Sequence, residues 1–270
     1  MRSRRPLYPY LVWMGLFVLV PLGMVIYYAF TDKASGAFTF SNFSYIFNRT
    51  FASVCLDSLK TALISTAICL LVGYPFAYLV SRMRASTQVV MNMLILIPMW
   101  MNFILRICAW QVLLDNNGLI NRLFELCGFG RAALLNTEGA VIVGMVYNFL
   151  PFMVIPLYNV MAKIPDSLIE ASRDLGAGGF QVFRRVILPL SVPGIISGIT
   201  MVFVPAASTM VLAPRLGGYD LIGDTINQYI LGTAHNLNAG SLLSLVLMVI
   251  ILISMAIMNR FDNGEDVVIM

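Results

Sequence analysis

The side chains best suited to chemistry in this chain are charged, and many of them fall in one stretch, residues 163–190, which reads KIPDSLIEASRDLGAGGFQVFRRVILPL. Asp166, Glu170 and Asp174 follow one another at intervals of four residues, so a helix places their carboxylates on one side. Long apolar blocks flank the stretch. The carboxylates therefore either face water as part of a solvated loop or face a partner outside the chain.

Helix signals delimit this segment. Ser167 and Glu170 have the S-x-x-E spacing of a capping box, which predicts a short helix that begins near Leu168. Gly176 can adopt the left-handed conformation that ends a helix. The other side of the predicted helix carries small and apolar residues: Leu168, Ala171, Ser172 and Leu175.

A second helical stretch is predicted over residues 180–188, after the glycine pair 178–179. Its spacing places Phe180, Phe183 and Ile187 on one face. The stretch leads directly into the next apolar block. A helix, a hinge and a second helix joined to that block would suit the transmission of force from a partner.

Arg106 is the one ionisable residue well within an apolar block, and such residues are rare and usually functional. Two roles stay open for it: pairing within the protein, and gating or substrate contact. Tryptophans of the same block either line a path or anchor at the membrane interface. The candidate residues of a substrate path are Trp100, Asn102, Arg106, Trp110, Tyr147 and Asn148.

Catalytic and nucleotide-binding signatures are absent from the sequence. It contains no HExxH, no GxSxG and no GxxxxGK[ST], so the chain has no P-loop for ATP. The glycines of residues 176–179 do not have the spacing of a dinucleotide-binding loop and follow no predicted strand. Four cysteines form no CxxC pair and indicate no metal site. We expect no enzymatic activity and no bound metal in this chain.

The elements that position these residues are membrane helices. The chain is 59% hydrophobic and 11% charged, whereas globular domains carry about 25% charged residues. A membrane-spanning helix needs roughly 20 apolar residues. Such runs predict an all-α membrane protein with one transmembrane domain over residues 1–270 and six spans, at about 8–31, 57–81, 88–114, 137–161, 188–212 and 239–259.

The basic residues predict the orientation of these spans. With the amino terminus inside, inner segments hold ten Lys and Arg residues and outer segments hold six. This bias favours both termini in the cytoplasm. The net charge of +4 is thus a signal of topology, and we expect a lipid bilayer and no nucleic acid as the surroundings.

The run EASRDLGAGGFQVFRRVILP, residues 170–189, resembles the EAA loop of ABC importer permeases, with Ser172 in place of the second alanine. The resemblance implies the six-helix bundle of MetI-like permeases, with a cytoplasmic coupling helix in the loop 163–187. It also implies four kinds of neighbour: a cytoplasmic ATPase dimer that holds ATP and Mg, a second permease subunit, an extracytoplasmic binding protein, and the inner membrane of a bacterial cell. The residues expected to couple to the ATPase are Ser167, Glu170, Ala171, Ser172, Asp174, Leu175, Gly176 and Ala177.

Further stretches, among them GYPFAY at 73–78 and LPFMVIPLY at 150–158, resemble the PotB-type permease subunits of spermidine/putrescine importers. That resemblance implies a polyamine substrate. The span interiors supply aromatic residues but no acid, so the carboxylates for a polycation are expected from the second permease subunit. Two alternatives stay open: a permease for another small solute such as an inorganic anion, which suits Arg106, and a stand-alone secondary transporter or channel.

Overall fold

Helices make up nearly all of the computed structural model, which describes residues 7–33, 35–47, 49–232 and 235–262. Within these ranges there is no strand, and one isolated antiparallel bridge joins Thr31 and Phe38. The α-helices, in chain order, are α1 (Leu7–Met14), α2 (Val20–Ala29), α3 (Arg49–Ser81), α4 (Ala85–Trp100), α5 (Phe103–Leu114), α6 (Leu119–Leu126), α7 (Glu138–Met161), α8 (Asp166–Asp174), α9 (Gly179–Val182), α10 (Leu188–Ala207), α11 (Leu212–Leu216), α12 (Ile222–Ile230) and α13 (Leu237–Asp262).

Short turns of other helix types complete the architecture. A 3-10 helix, Ser41–Tyr45, precedes α3. One π-helical turn, Gly15–Leu19, joins α1 to α2, and another, Phe183–Ile187, joins α9 to α10. The second turn makes Gly179–Ala207 one continuous helix of 29 residues. The helical stretch predicted at 180–188 is therefore the first part of the following span.

Five helices among the described residues are long and apolar enough to cross a membrane, and a bent pair of helices raises the number to six. The predicted all-helical membrane bundle is therefore confirmed. The helix bounds differ from the predicted ones at several ends. Helix α3 begins at Arg49, ahead of residue 57, and α10 ends at Ala207, before residue 212.

The predicted span 88–114 is not one straight helix. Helix α4 and the stretch Phe103–Leu126, which consists of α5 and α6, meet at a bend of 91°. Pro98 lies in the last turn of α4, and Met101 after it has an extended backbone. The Asn102 side chain then accepts hydrogen bonds from the backbone N–H of Ile104 at 2.9 Å and of Leu105 at 3.4 Å. Because an N-cap starts a new helix at this point, the predicted span is a bent pair of helices with its break just after Pro98, and the predicted number of six spans holds when this pair is taken as one span.

The core lies where α3, α7 and α10 pack together. Close approach depends on small residues, as is usual between membrane helices. A Cβ on Gly198 of α10 would lie 2.6 Å from the Met153 sulfur of α7. A Cβ on Gly144 of α7 would lie 2.5 Å from a methyl group of Leu216 in α11. A larger residue at either position would therefore require the facing Met153 or Leu216 side chain to move.

The bundle has two ends. Helix α8 lies at the end where α3 finishes, because Arg82 contacts Asp166 there; we call this the α8 end. The start of α3, with helices α11 and α12, belongs to the opposite end, which we call the far end. The two chain termini, residues 1–6 and 263–270, which are predicted to be cytoplasmic, lie outside the described residues.

Candidate functional site

Helix α8 begins two residues earlier than predicted. Its N-cap is Pro165, the first helical residue is Asp166, and no side chain caps the helix. The capping box predicted from Ser167 and Glu170 is therefore wrong. The rigid φ of proline already suits the start of a helix, and Asp166 in the first turn is favourable to the helix dipole.

The predicted end of the helix is confirmed. Gly176 has a φ of +85°, a conformation that costs glycine little. Its N–H donates to the Arg173 carbonyl at 2.8 Å, and the Ala177 N–H donates to the Ser172 carbonyl at 3.1 Å. These two bonds form a Schellman motif. The Schellman motif thus ends α8, and the chain changes direction there towards α9.

Ile169 attaches α8 to the rest of the protein. It is the buried residue of this helix and packs with Val182 of α9 and with Ile187 of the π-helical turn. Sequence reasoning missed Ile169 and selected its neighbour Leu168, which is 40% exposed. Leu168 and Ile169 are adjacent and both aliphatic, so the sequence does not indicate which of the two side chains is buried. The small cluster links α8 to the start of the α10 span.

Most of the predicted coupling residues form an open surface. Leu175 is 90% exposed, and the carboxylates of Glu170 and Asp174 are exposed on the same helix. We call this the α8 surface. Its exposed members are Ser167, Glu170, Ala171, Asp174, Leu175 and Gly176, and its half-buried members are Ser172 and Ala177.

Beside the α8 surface lies a cavity of about 310 Å³ between α3 and α8. Arg82 and Tyr78 line it from the α3 side, and Ile169, Glu170 and Arg173 line it from α8. The Arg82 guanidinium lies 5.6 Å from the centre of the Tyr78 ring, within the range of a cation–π contact. The region therefore combines apolar, acidic and basic groups at one accessible position.

A second contact joins α3 to the start of the α10 span. The Tyr74 hydroxyl is hydrogen-bonded to the Ser191 hydroxyl at 2.8 Å. The Tyr74 ring meets the Phe183 ring edge to face, with 5.8 Å between centroids. Buried aromatic pairs and hydrogen bonds of this kind hold helices in a defined register. If α8 and α9 move, these contacts would therefore move α3 and α10 with them.

The structure separates the candidate path residues into two groups. Trp100 is 85% exposed at the end of α4, and Asn102 uses its side-chain oxygen to cap α5. The second group lies where α5 packs on α7. There Trp110 and Tyr147 form an edge-to-face pair with 5.5 Å between centroids, and Asn148 is buried with its amide nitrogen donating to the Gly144 carbonyl.

Arg106 belongs to the second group, one helical turn before Trp110. Only 9% of it is exposed, and its Nε and Nη1 atoms are buried without a hydrogen-bond partner. The Phe103 ring lies 5.7 Å from its guanidinium carbon. Among the described residues, no carboxylate forms an ion pair with it. An unpaired buried charge is costly, and the described residues do not supply the partner that would offset this cost for Arg106.

Comparison with known proteins places this geometry in a family. Residues 70–264 match the model of the binding-protein-dependent transport system inner membrane component family. The chain is 38% identical, over 93% of its length and 91% of the relative, to the spermidine/putrescine transport system permease protein PotB of Haemophilus influenzae. It is 36% identical, over 79% of its length and 81% of the relative, to the protein of the same name from Escherichia coli.

A solved structure supports the fold. A chain of a bacterial ABC transporter involved in the import of the acidic polysaccharide alginate superposes with a TM-score of 0.75 at 17% identity, covering 97% of this chain and 95% of that one. The family match and the permease relatives together confirm the predicted resemblance to ABC importer permeases. The chain belongs to the family of binding-protein-dependent transport system inner membrane components.

Proposed function

We propose that this protein is a permease subunit of an ATP-driven importer of polyamines, with spermidine and putrescine as the expected substrates. The likeness to spermidine/putrescine permease proteins over 93% of the chain carries the substrate class. The exposed α8 surface supports the coupling role. Helix α8 projects apolar and acidic groups from the α8 end of a bundle whose long helices can cross a membrane.

Coupling follows from how α8 is attached. Ile169 connects it to α9, and α9 continues through the π-helical turn into α10. A movement of the bound ATPase against the α8 surface therefore reaches α10 without crossing a flexible loop. Because α10 packs against both α3 and α7, the movement changes the packing of the spans, which is what alternating access requires.

The proposed complex has several partners. A cytoplasmic ATPase dimer binds ATP and Mg and contacts the α8 surface, because this chain has no P-loop of its own. A second permease subunit and an extracytoplasmic binding protein complete the transporter. The chain lies in the inner membrane with α8 and both termini in the cytoplasm, an orientation supported by the positive-inside bias of the loops.

The substrate path follows the packed group on α5 and α7. Trp110 and Tyr147 offer aromatic faces to a passing ammonium group. Arg106 lies on the same helix as Trp110 and takes its counter-charge from the second permease subunit. Trp100 and Asn102, at the bend between α4 and α5, mark the edge of the path. Arg106 also supports the alternative of a small inorganic anion, since its Nε and Nη1 atoms have no partner.

Uptake in a reconstituted transporter tests the proposal. The permease pair, the ATPase and the binding protein are assembled in liposomes and supplied with labelled spermidine. We expect uptake that requires ATP, is inhibited by putrescine and is unaffected by sulfate or phosphate. Inhibition by those anions would favour the second substrate class. Uptake that persists without the ATPase would contradict the proposed class of transporter.

A further inference from the structure

A cavity of about 570 Å³ opens at the far end of the bundle. Its wall combines the end of the 3-10 helix at Tyr45, the first turns of α3, helix α12 and the residues just before it. From Asp57, which lines the cavity, to Ser81 at the α8 end, α3 rises by roughly 36 Å at 1.5 Å per residue. The cavity thus lies about the thickness of a bilayer from the α8 surface.

Two carboxylates line this cavity, those of Asp57 and Asp220, and no lysine or arginine does. In the part of the chain that the structure describes, neither carboxylate forms an ion pair. Asp220 accepts a hydrogen bond from the Gln228 side chain at 2.7 Å. Lys60 lies one turn after Asp57 but pairs with Glu138 at 2.8 Å. The cavity lining therefore carries two carboxylates and no basic side chain, while Lys60 beside it interacts electrostatically with Asp57 as well as with Glu138.

Three tyrosines accompany the carboxylates: Tyr45, Tyr219 and Tyr229. The Tyr45 and Tyr229 rings meet edge to face with 5.7 Å between centroids. The Asn236 amide donates to the Tyr45 hydroxyl at 3.2 Å, which holds this pair in place. Aromatic rings attract ammonium groups and pack against methylene chains. Acidic groups and aromatic rings in one concave site are the combination that a polyamine requires.

Size and position agree with such a ligand. Small-molecule sites enclose about 300–1,000 Å³, and this cavity lies within that range. Separate carboxylates on α3 and before α12 can engage two ammonium groups of one chain at once, which favours a polyamine over a monoamine. The sequence places the acids far apart, at residues 57 and 220, so only the fold brings them together.

We propose that this cavity is a binding site for a protonated polyamine on the far side of the transporter, where the substrate rests before it passes between the spans. Asp57 and Asp220 pair with its ammonium groups, and the tyrosines contact its methylene segments. The identity of the ligand rests on the proposed function. The expectation that every carboxylate for the substrate comes from a second subunit is thereby replaced by one in which this chain supplies two.

Direct binding tests the site. Labelled spermidine is bound to the complete transporter in lipid nanodiscs, without ATP and without the binding protein. For each of Asp57→Asn and Asp220→Asn we expect about tenfold weaker binding, with partial rescue by Asp57→Glu. Tyr229→Leu weakens binding, while Tyr229→Phe retains it. Putrescine competes less well than spermidine, and butylamine competes poorly. Glu125→Gln, which removes an exposed charge of α6 outside the cavity, leaves binding unchanged.

Three results would overturn the inference. One is normal spermidine affinity in both aspartate variants. Another is an equal loss in Glu125→Gln, which would indicate only general surface charge. The last is weaker association of the substrate-free binding protein with Asp57→Asn, which would make the cavity a protein-docking surface. If the wild-type transporter imports spermidine and the variants bind it normally, only the cavity assignment fails; if the wild type imports no polyamine, the proposed function fails.

Discussion

Arg82 and Asp166 join the end of α3 to the start of α8: the guanidinium Nη1 donates to the Asp166 carboxylate at 2.7 Å. The same atom donates to the Ile164 carbonyl at 2.9 Å, and Nη2 donates to the Met161 carbonyl at 3.2 Å. The Arg82 side chain is 19% exposed, while that of Asp166 is 75% exposed. The arginine therefore stabilises the turn between α7 and α8 as well as the ion pair.

We expect Arg82→Met to cost far more than Asp166→Asn. The first change leaves two carbonyls of a partly buried turn without their donor, a loss of about 1–3 kcal/mol. The second removes an exposed ion pair, worth less than about 1 kcal/mol. Thermal unfolding of the purified permease and ATP-driven uptake measure both effects. Equal losses in the two variants would show that the ion pair matters more than the carbonyl contacts.

Leu175, the residue that caps the end of α8, and Ile169 within α8 have opposite surroundings, the first 90% and the second 6% exposed. Leu175→Asp should leave stability within about 0.5 kcal/mol of the wild type, yet weaken binding of the ATPase because it places a charge in the apolar contact. Ile169→Ala should lower stability by about 2–5 kcal/mol. Normal ATPase binding by Leu175→Asp would contradict the assignment of the α8 surface.

Strong local patterns made parts of this structure predictable. The apolar run at 137–161 matches α7, whose start is fixed where the Thr137 hydroxyl accepts the Ala140 N–H at 3.1 Å. Gly176 ends α8 as expected, since a glycine after a short amphipathic helix has few other uses. In both cases the deciding interactions join residues only a few positions apart.

Features that depend on distant residues were not predictable. Ile169 is buried because Val182 and Ile187 return to it, which its own helix does not reveal. In the sequence, Arg82 was only one of the basic residues that indicate the orientation of the spans. Its carbonyl partners exist only after α7 and α8 have folded against α3.

Gly176 and Gly179 form a matched pair for a test of coupling. A Cβ on either residue would meet no atom within 4 Å, but only Gly176 has a positive φ. Gly176→Val should therefore cost about 1–2 kcal/mol of backbone strain. This energy lowers the population of the conformation that closes α8 by roughly tenfold. We expect normal membrane insertion and reduced spermidine uptake. Gly179→Val should transport normally, and wild-type uptake by Gly176→Val would count against the coupling role.

Asp224 predicts a pH dependence at the far end. Burial raises the pKa of this carboxyl group above its usual value, the N–H groups of Val211 and Leu221 oppose the shift, and the charge of Asp220 adds to it. A folded pKa above the unfolded one means that the folded state holds the proton longer. The stability from this group is therefore complete below about pH 4 and is lost as the pH rises through the folded pKa.

The measurement for Asp224 is the melting temperature of the purified permease against pH, with Asp224→Asn as the variant that cannot titrate. We expect the wild type to lose stability relative to the variant as the pH rises above about 4. A wild type that gains relative stability over that range would show that the hydrogen bonds from Val211 and Leu221 outweigh burial.

Arg106 separates stability from function. Its Nε and Nη1 atoms are buried without partners in the isolated chain, so the guanidinium destabilises the chain unless another molecule supplies a negative charge. Arg106→Met keeps most of the volume and removes the charge. We expect the purified subunit to be more stable, by about 1 kcal/mol or more. We expect the assembled transporter to lose spermidine uptake, because the negative group of the second permease subunit that pairs with Arg106 then has no partner.

A variant that is less stable alone yet transports normally would indicate that Arg106 is a packing residue. Restored uptake when a carboxylate of the second permease subunit is also neutralised would identify the group that Arg106 pairs with.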